Sequence, residues 1–205
     1  MTDETWAEFR QSIFGDPYMV WHDGPDFDAL RERAKADPAE VERQLLAGLS
    51  AGDGLAAEAM GEVGTSAQFA EALEAALPRS VGGFRVDVAQ ALIALTSSEE
   101  EWAPALIDVL VAGGVWNDRM DSAIAIGKLT PTIALIGALM VGINDSDYLV
   151  RYHSCNAMLA FAGTPSDISS HSELFDKILD GTPPSGRKAV AAELSKSASA
   201  RLSAR

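Results

Sequence analysis

Apolar residues recur three and four positions apart through most of the chain, which is the spacing of one face of an α-helix. The clearest stretch covers residues 145–163. Its apolar positions that share one face are Val150, Ala157, Met158 and Phe161. Asp145 and Asp147 offer side-chain N-caps at its start, and Gly163 ends it. The pattern therefore predicts one well-bounded helix here.

Weaker copies of this helix recur upstream. Each copy has a small alanine followed at once by a large apolar residue, with another large apolar residue three positions later. The four alanines are Ala59, Ala91, Ala125 and Ala157, separated by 32, 34 and 32 residues. Self-similarity at this period is typical of proteins built from stacked helical pairs.

A second amphipathic run precedes each copy, so one repeat is interpreted as helix A, a short turn and helix B. The four A runs cover residues 38–50, 67–77, 99–112 and 132–143. One helical pair is too small to bury its own apolar face, whereas stacked pairs share a continuous core. The last A run contains the longest apolar stretch, residues 133–143. A membrane span needs ~20 residues, so we expect this stretch to be a buried helix.

The fourth B helix, Asp147-Tyr-Leu-Val-Arg-Tyr-His-Ser-Cys-Asn-Ala-Met-Leu, resembles helix B of HEAT repeats, especially the short HEAT-like repeats first named from bilin lyases. The resemblance covers residues 37–163; it is good in the last copy and poor in the first. It implies an all-α fold, a right-handed α–α solenoid of HEAT-like repeats with an irregular N-terminal helical cap. The family indicates the fold much better than the function, because one scaffold hosts many activities.

HEAT repeats often carry an arginine in helix B that pairs with an acidic residue of an adjacent turn. The matching positions, six residues before the alanine, are Arg85, Arg119 and Arg151, and the first copy has Asp53 there instead. We interpret the three arginines as a structural ladder, with ligand binding as the alternative.

The expected organisation is a single domain over residues 1–205. It comprises an N-terminal cap (1–36), four repeats (37–163) and a C-terminal helical cap (164–205). The first cap carries an apolar stripe on a short helix, formed by Trp6, Phe9, Ile13 and Phe14, which we expect to be buried; an exposed patch is the alternative. In the last cap we expect a helix at residues 172–179, a final helix that Pro183 and Pro184 start, and fraying over residues 196–205.

Acidic side chains are concentrated in the first half of the chain. Residues 1–108 hold 21 acidic and 7 basic side chains, and the rest of the chain holds nine of each, so the net charge of −14 lies in the first half. An acidic field repels phosphate and favours basic partners. It argues against nucleic acid, including the DNA-glycosylase members of the HEAT-like fold. The alternative is that these acids only keep the surface solvated.

Motifs for catalysis or metal binding are not found. The three histidines lack metal-ligand spacing, and His153 and Cys155 lie two residues apart, which places them on different faces of a helix. We expect Cys155 to be a small buried residue and Asp145 and Asp147 to cap a helix rather than hold a metal. No cofactor, metal or catalytic residue is predicted, although scattered residues of a solenoid can form a site.

The start of the chain is polar, with Thr2, Asp3 and Glu4 after Met1, and no apolar segment follows. We therefore expect neither a signal peptide nor a membrane anchor. A single cysteine suits a reducing cytoplasm, and the alanine-rich composition is typical of bacterial proteins from GC-rich genomes.

Compact acidic HEAT-like proteins resemble bacterial immunity proteins, which bind and neutralise a cognate toxin, often a basic nuclease. This resemblance and the charge together imply a non-enzymatic protein-binding module, such as an antitoxin, that binds a basic protein such as a cognate toxin. The candidate contacts are Asp53, Glu58, Glu62, Asp87 and Asp121, with Trp116 as an anchor; for Trp116 we favour packing under the next repeat. A second hypothesis from the resemblance is a lyase, isomerase or chaperone that handles a tetrapyrrole chromophore.

Overall fold

The computed structural model describes residues 4–64 and 66–204, which form helices and turns without a β-strand. The all-α prediction is confirmed. Within these ranges, no helix combines the length and the apolar character that a membrane crossing requires. Residues 2 and 3, which entered the expectation about a signal peptide, and residue 205 lie outside the described residues.

The helices follow one another with short connections. They are α1 (Trp6–Phe14), α2 (Pro17–Asp23), α3 (Phe27–Ala36), α4 (Pro38–Ser50), α5 (Gly54–Val63), α6 (Ala67–Ala76), α7 (Gly82–Thr96), α8 (Glu99–Ala112), α9 (Trp116–Ile126), α10 (Ile133–Ile143), α11 (Tyr148–Ala162), α12 (Ser172–Phe175) and α13 (Pro184–Ser203). Short 3₁₀ turns follow α6 and α11, at Leu77–Arg79 and Ile168–Ser170.

Most predicted helix limits agree with the structure because local side chains set them. Helices α4 and α8 cover the predicted residues, and α10 begins after Thr132, whose hydroxyl accepts the Leu135 N–H. Helix α11 is capped by Asp147, whose carboxylate accepts the Leu149 N–H at 2.9 Å. It ends at Gly163, which has a left-handed conformation with φ of +73°.

Two expectations about the C-terminal cap were wrong. Helix α12 ends at Phe175 instead of residue 179, and the chain continues in turns. Helix α13 does not fray from residue 196, since it continues to Ser203. The reason is packing: Ala198 is fully buried, and Arg201 donates a hydrogen bond to the Ala160 carbonyl.

The prediction that residues 133–143 form a buried helix is also wrong for one face of α10. Its inner face is buried against its neighbours through residues that include Leu135, Ile136, Leu139 and Ile143. Its outer face is open, with Ile133 68% exposed and Val141 48% exposed. Apolar residues occupy more of the α10 surface than its neighbours bury, so some of them are exposed to solvent.

The chain divides into two compact units. Unit 1 contains residues 1–80 and 87–98, and unit 2 contains residues 81–86 and 99–205. In unit 1, α1 and α3 pack on α4, and α4 packs on α5 and α6. Phe9 and Phe14 of α1 are buried, as expected for the apolar stripe. Trp6, which packs against Gly48 of α4, and Ile13 are only half-buried.

Unit 2 shows the layered contacts of paired helices. The A helices α8 and α10 contact each other, the B helices α9 and α11 contact each other, and each A helix packs on its own B helix. Helix α13 packs on α10 and α11. This arrangement is compatible with a helical solenoid.

Small residues bring consecutive B helices close together. All four repeat alanines are buried, as predicted. In unit 1, a Cβ placed on Gly61 of α5 would lie 3.2 Å from the Cα of Ala91 in α7. In unit 2, a Cβ placed on Gly127, at the end of α9, would lie 2.9 Å from the Cβ of Ala157 in α11. Each glycine follows the alanine of its own copy by two residues, so the same contact recurs.

Candidate functional site

The three arginines at equivalent positions all form ion pairs with acidic side chains farther along the chain. The pairs are Arg85–Asp108 at 3.3 Å, Arg119–Asp145 at 2.7 Å and Arg151–Asp180 at 2.6 Å. Arg151 is only 1% exposed and also donates to the backbone carbonyls of Ile178, Asp145 and Ser146. These side chains are thus engaged within unit 2, and their contribution to stability stays a prediction.

Of these three ion pairs, Arg119–Asp145 is the one in which both side chains are largely buried. The guanidinium donates two hydrogen bonds to the carboxylate, at 2.7 and 2.9 Å, and a third to the Gly114 carbonyl. Burial alone would raise the pKa of Asp145, but the hydrogen bonds from Arg119 and from the Asp147 N–H outweigh it, and this pKa lies below its ordinary value. The hydrogen bonds with Asp145 raise the pKa of Arg119 in turn. The pair is therefore ionised over the physiological range.

Asp53 occupies the arginine position of the first copy, and it takes part in internal contacts. Its carboxylate accepts the indole N–H of Trp6 at 2.9 Å and lies 3.1 Å from the guanidinium of Arg10. It also caps α5 by accepting the Leu55 N–H. In this copy the acid occupies the repeat position and its arginine, Arg10, comes from the N-terminal cap, whereas in the other copies the arginine occupies that position. Asp53 is consequently placed to join the cap to the first repeat.

The four candidate acids of unit 1 lie around α5. Glu58 and Glu62 are exposed and four residues apart, so they share one face of the helix, and Glu62 pairs with Arg31 of α3. The half-buried carboxylate of Asp87 lies against Gly54 at the N-terminus of α5, where a negative charge is favoured by the helix dipole. Asp87 is therefore placed to stabilise α5.

Trp116 and Asp121 belong to α9 in unit 2. Trp116 is the first residue of the helix and is 43% exposed, so its side chain is not buried under the next repeat as we favoured. Asp121 is exposed as a residue, but partial desolvation of its carboxyl group, together with the charge of Asp118, raises its pKa. The Asp118 carboxylate lies against Gly82 at the start of α7, as Asp87 lies against Gly54. The contact between an aspartate and a glycine at the start of the preceding B helix therefore also recurs. It was not predicted from the sequence, although the glycines at these helix starts indicated it.

A groove in unit 2 runs between the C-terminal halves of α8 and α10, and we call it the α8–α10 groove. Its volume is about 730 Å³. Its apolar walls are Leu110, Val111, Met140 and Val141. Gly137 also lines it, and no atom beyond the adjacent backbone of α10 lies within 4 Å of the position that a Cβ on this glycine would take. The Arg119–Asp145 pair, Asn144 and Ser146 lie at the end where α10 turns into α11.

The Arg119–Asp145 pair supplies the charged residues that line the groove, and the other charged residues of the two helices that form it are acidic. Helix α8 carries Glu99, Glu100, Glu101 and Asp108 and no basic residue, and α10 carries no charged residue. The exposed Glu100, Pro104 and Val111 share one face of α8 at helical spacing. Sequence reasoning missed this groove because it treated the α10 stretch as fully buried. The signal for it was an apolar run that leaves no position for a polar outer face.

The Cys155 thiol is poorly placed to act as a nucleophile. Cys155 is buried, and burial raises the pKa of its thiol to about 12, so the thiolate is disfavoured. This confirms the expectation of a small buried residue. Burial also lowers the pKa of the half-buried His153. Among the described residues, no three His, Cys, Asp or Glu side chains cluster as metal ligands.

No protein-family model, curated protein or solved structure matches the chain. The likeness to HEAT repeats therefore depends on the residues of the sequence itself. Unit 1 is rich in acidic residues, and unit 2 has an apolar groove beside a helix whose charged residues are all acidic. Surfaces of both kinds are suited to binding another molecule.

Proposed function

We propose that the protein is a non-enzymatic binding module for a basic protein, of the kind that immunity proteins of toxin systems represent. The observation that carries this proposal is the distribution of charge between the units. Unit 1 contains 17 acidic and 6 basic residues, whereas unit 2 contains 13 and 10. Unit 1 therefore holds most of the negative charge, and such a field raises the association rate of a positively charged protein.

The exposed acids of unit 1 are the proposed contacts. Glu58 on α5 and the pair Glu71 and Glu74 on α6 are exposed. Glu71 and Glu74 were not among the residues named from the sequence. Asp53 and Asp87 instead support the fold around α5, which holds the exposed acids in place. The partner would be neutralised by occlusion, with charge speeding encounter and a few buried anchors setting affinity.

We also propose that the repeats are of the HEAT-like type and wind as a right-handed solenoid. Three repeated features support this. The alanines recur at nearly constant spacing, each arginine of the series pairs with an acid further along the chain, and consecutive B helices meet at a glycine and an alanine. A solenoid presents a long surface built from rigid elements, which suits a protein partner.

The proposal is tested by retention of proteins from an extract of the source cell on immobilised protein. The variant Glu71→Lys/Glu74→Lys reverses two exposed charges in unit 1. Its matched control, Glu173→Lys/Asp176→Lys, reverses two exposed charges with the same spacing in unit 2. We expect the wild type and the control to retain a basic protein at low salt and release it at high salt, because exposed charges are screened.

The Glu71→Lys/Glu74→Lys variant should retain much less of that basic protein. If the wild type retains no basic protein at low salt, or if both double variants behave alike, the charge of unit 1 does not direct binding and the proposal fails.

The tetrapyrrole hypothesis has one favourable observation, the size of the α8–α10 groove. Its test is the absorbance of a bilin mixed with the protein, since a bound and held chromophore changes its spectrum. An unchanged spectrum rejects it.

A further inference from the structure

We propose that the α8–α10 groove binds an amphipathic helix of the partner, with its apolar side chains in the groove and its lysines or arginines against the acids of α8. This inference rests on the proposed function, because it names a second surface that the same basic partner would use. It differs from the proposal above in its site, which lies wholly within unit 2.

The outer face of α10 is unusual for a helix at a protein surface. Ile133, Gly137 and Val141 are exposed at four-residue spacing, and no charged or polar side chain interrupts them. A surface helix usually carries polar residues on its solvent side, so an apolar outer face indicates a place where another molecule packs. Val111 on the facing side of the groove is 46% exposed and extends the apolar area onto α8.

Gly137 gives the groove its opening. A side chain at this position would meet no neighbouring atom within 4 Å, so nothing in the packing of unit 2 excludes one. Glycine inside a helix is destabilising relative to alanine. Its effect here is to leave room above α10 for a side chain from outside. Apolar anchors one helical turn apart are the usual way in which a helix binds in a groove.

The charges favour a basic helix over a second copy of the chain. All four charged residues of α8 are acidic, and the guanidinium groups of Arg85 and Arg119 are already paired with Asp108 and Asp145. Docking of a second copy on this face would bring further acids of α8 towards the first set, which is repulsive. Lysines and arginines flanking the apolar stripe of a partner helix would instead meet Glu100 and Glu101, which are exposed.

Two peptide probes test the inference. The first is an amphipathic peptide of about 14 residues, with leucines at helical spacing and lysines elsewhere. The second has the same composition in an order that gives no apolar face. Both carry a fluorophore, and their affinities are measured by fluorescence anisotropy. We expect the amphipathic peptide to bind the wild type at least about tenfold more tightly than the rearranged one, because only it can fill the groove.

The protein variants identify the surface. Val141→Asp places a charge in the groove and should weaken the binding of the amphipathic peptide at least about tenfold. Val81→Asp is its control, because Val81 is also exposed, lies in unit 2 and does not line the groove. Gly137→Gln is a second variant whose side chain fills the groove without a clash in the helix, so loss of binding there cannot be attributed to unfolding.

Three results would overturn the inference. The first is equal binding of both peptides, which means attraction by charge alone. The second is equal behaviour of Val141→Asp and Val81→Asp. The third is a wild-type dimer in light scattering that Val141→Asp converts to a monomer, since the groove would then hold a second copy. The proposed function is tested separately by the unit 1 variants. If the peptide experiments are negative while Glu71→Lys/Glu74→Lys still retains less of the basic protein, only the inference about the groove is wrong.

Discussion

The contact between Gly127 and Ala157 allows a quantitative test of how the B helices pack. Gly127 has a helical backbone, with φ of −61°, so alanine can adopt its conformation without strain. The new Cβ would however lie 2.9 Å from the Cβ of Ala157 and 3.3 Å from its Cα. Since the Cα belongs to the backbone of α11, no side-chain rotation relieves the clash, and the two helices must separate.

The magnitude follows from two opposing contributions. Replacing glycine by alanine gains up to about 1 kcal/mol of helix propensity. Overpacking of a tight interior contact costs about 1–3 kcal/mol. We expect Gly127→Ala to lower the free energy of unfolding by about 1–2 kcal/mol. Gly137→Ala is the matched control on the open face of α10, and it should raise the same quantity by roughly 0.5–1 kcal/mol.

The assay is urea unfolding followed by far-ultraviolet circular dichroism, with the midpoints and slopes of both variants compared with the wild type. The double variant Gly127→Ala/Ala157→Gly moves the methyl group from one helix to the other. It should be more stable than the sum of the single changes predicts, because the clash is gone. Equal effects of Gly127→Ala and Gly137→Ala would refute the claim that α9 and α11 meet at these residues.

Three further predictions concern buried polar groups and the cysteine. Arg151→Lys should lower the free energy of unfolding by about 2–3 kcal/mol in urea titrations, because one ammonium cannot replace the four hydrogen bonds of the guanidinium. Asp180→Ala should lower the same free energy by less than about 1 kcal/mol, since Asp180 is 80% exposed. The lowered pKa of Asp145 contributes stability that is full above the ordinary Asp pKa of about 3.9 and is lost as pH falls through the lower folded value. The stability difference between wild type and Asp145→Asn should therefore be present at pH 7 and shrink as the pH falls below the ordinary Asp pKa of about 3.9, and an unchanged difference would contradict the pairing with Arg119. Cys155, with a pKa of about 12, should react with a disulfide reagent at pH 8 only after urea is added, and rapid reaction of the native protein would contradict its burial.

Features fixed by neighbouring residues could be predicted from the sequence. Asp147 and Gly163 bound α11 because capping and termination depend on side chains and backbone freedom within one turn. The buried alanines were also predictable, since their period is visible along the chain. Ala59 and Ala157 are covered in the structure as the repeat pattern indicated.

Features that depend on which surfaces remain uncovered could not be predicted. The apolar pattern of α10 is the same whether its outer face is covered or open, so only the packing of its neighbours shows that Val141 is exposed. The sequence makes Asp53 a candidate partner contact because it is acidic and lies at a turn. Its use by Trp6 and Arg10 depends on where the first helix packs, which the local sequence does not determine.

The most direct test of the account is the rate at which the retained basic partner associates with the protein, measured by stopped-flow fluorescence at several ionic strengths. If the acids of unit 1 attract the partner, the association rate constant of the wild type should fall at least about tenfold as salt rises from low to physiological concentration. The Glu71→Lys/Glu74→Lys variant should start lower and show a weaker dependence on salt. A rate constant that is unaffected by salt, and equal in both proteins, would contradict the account.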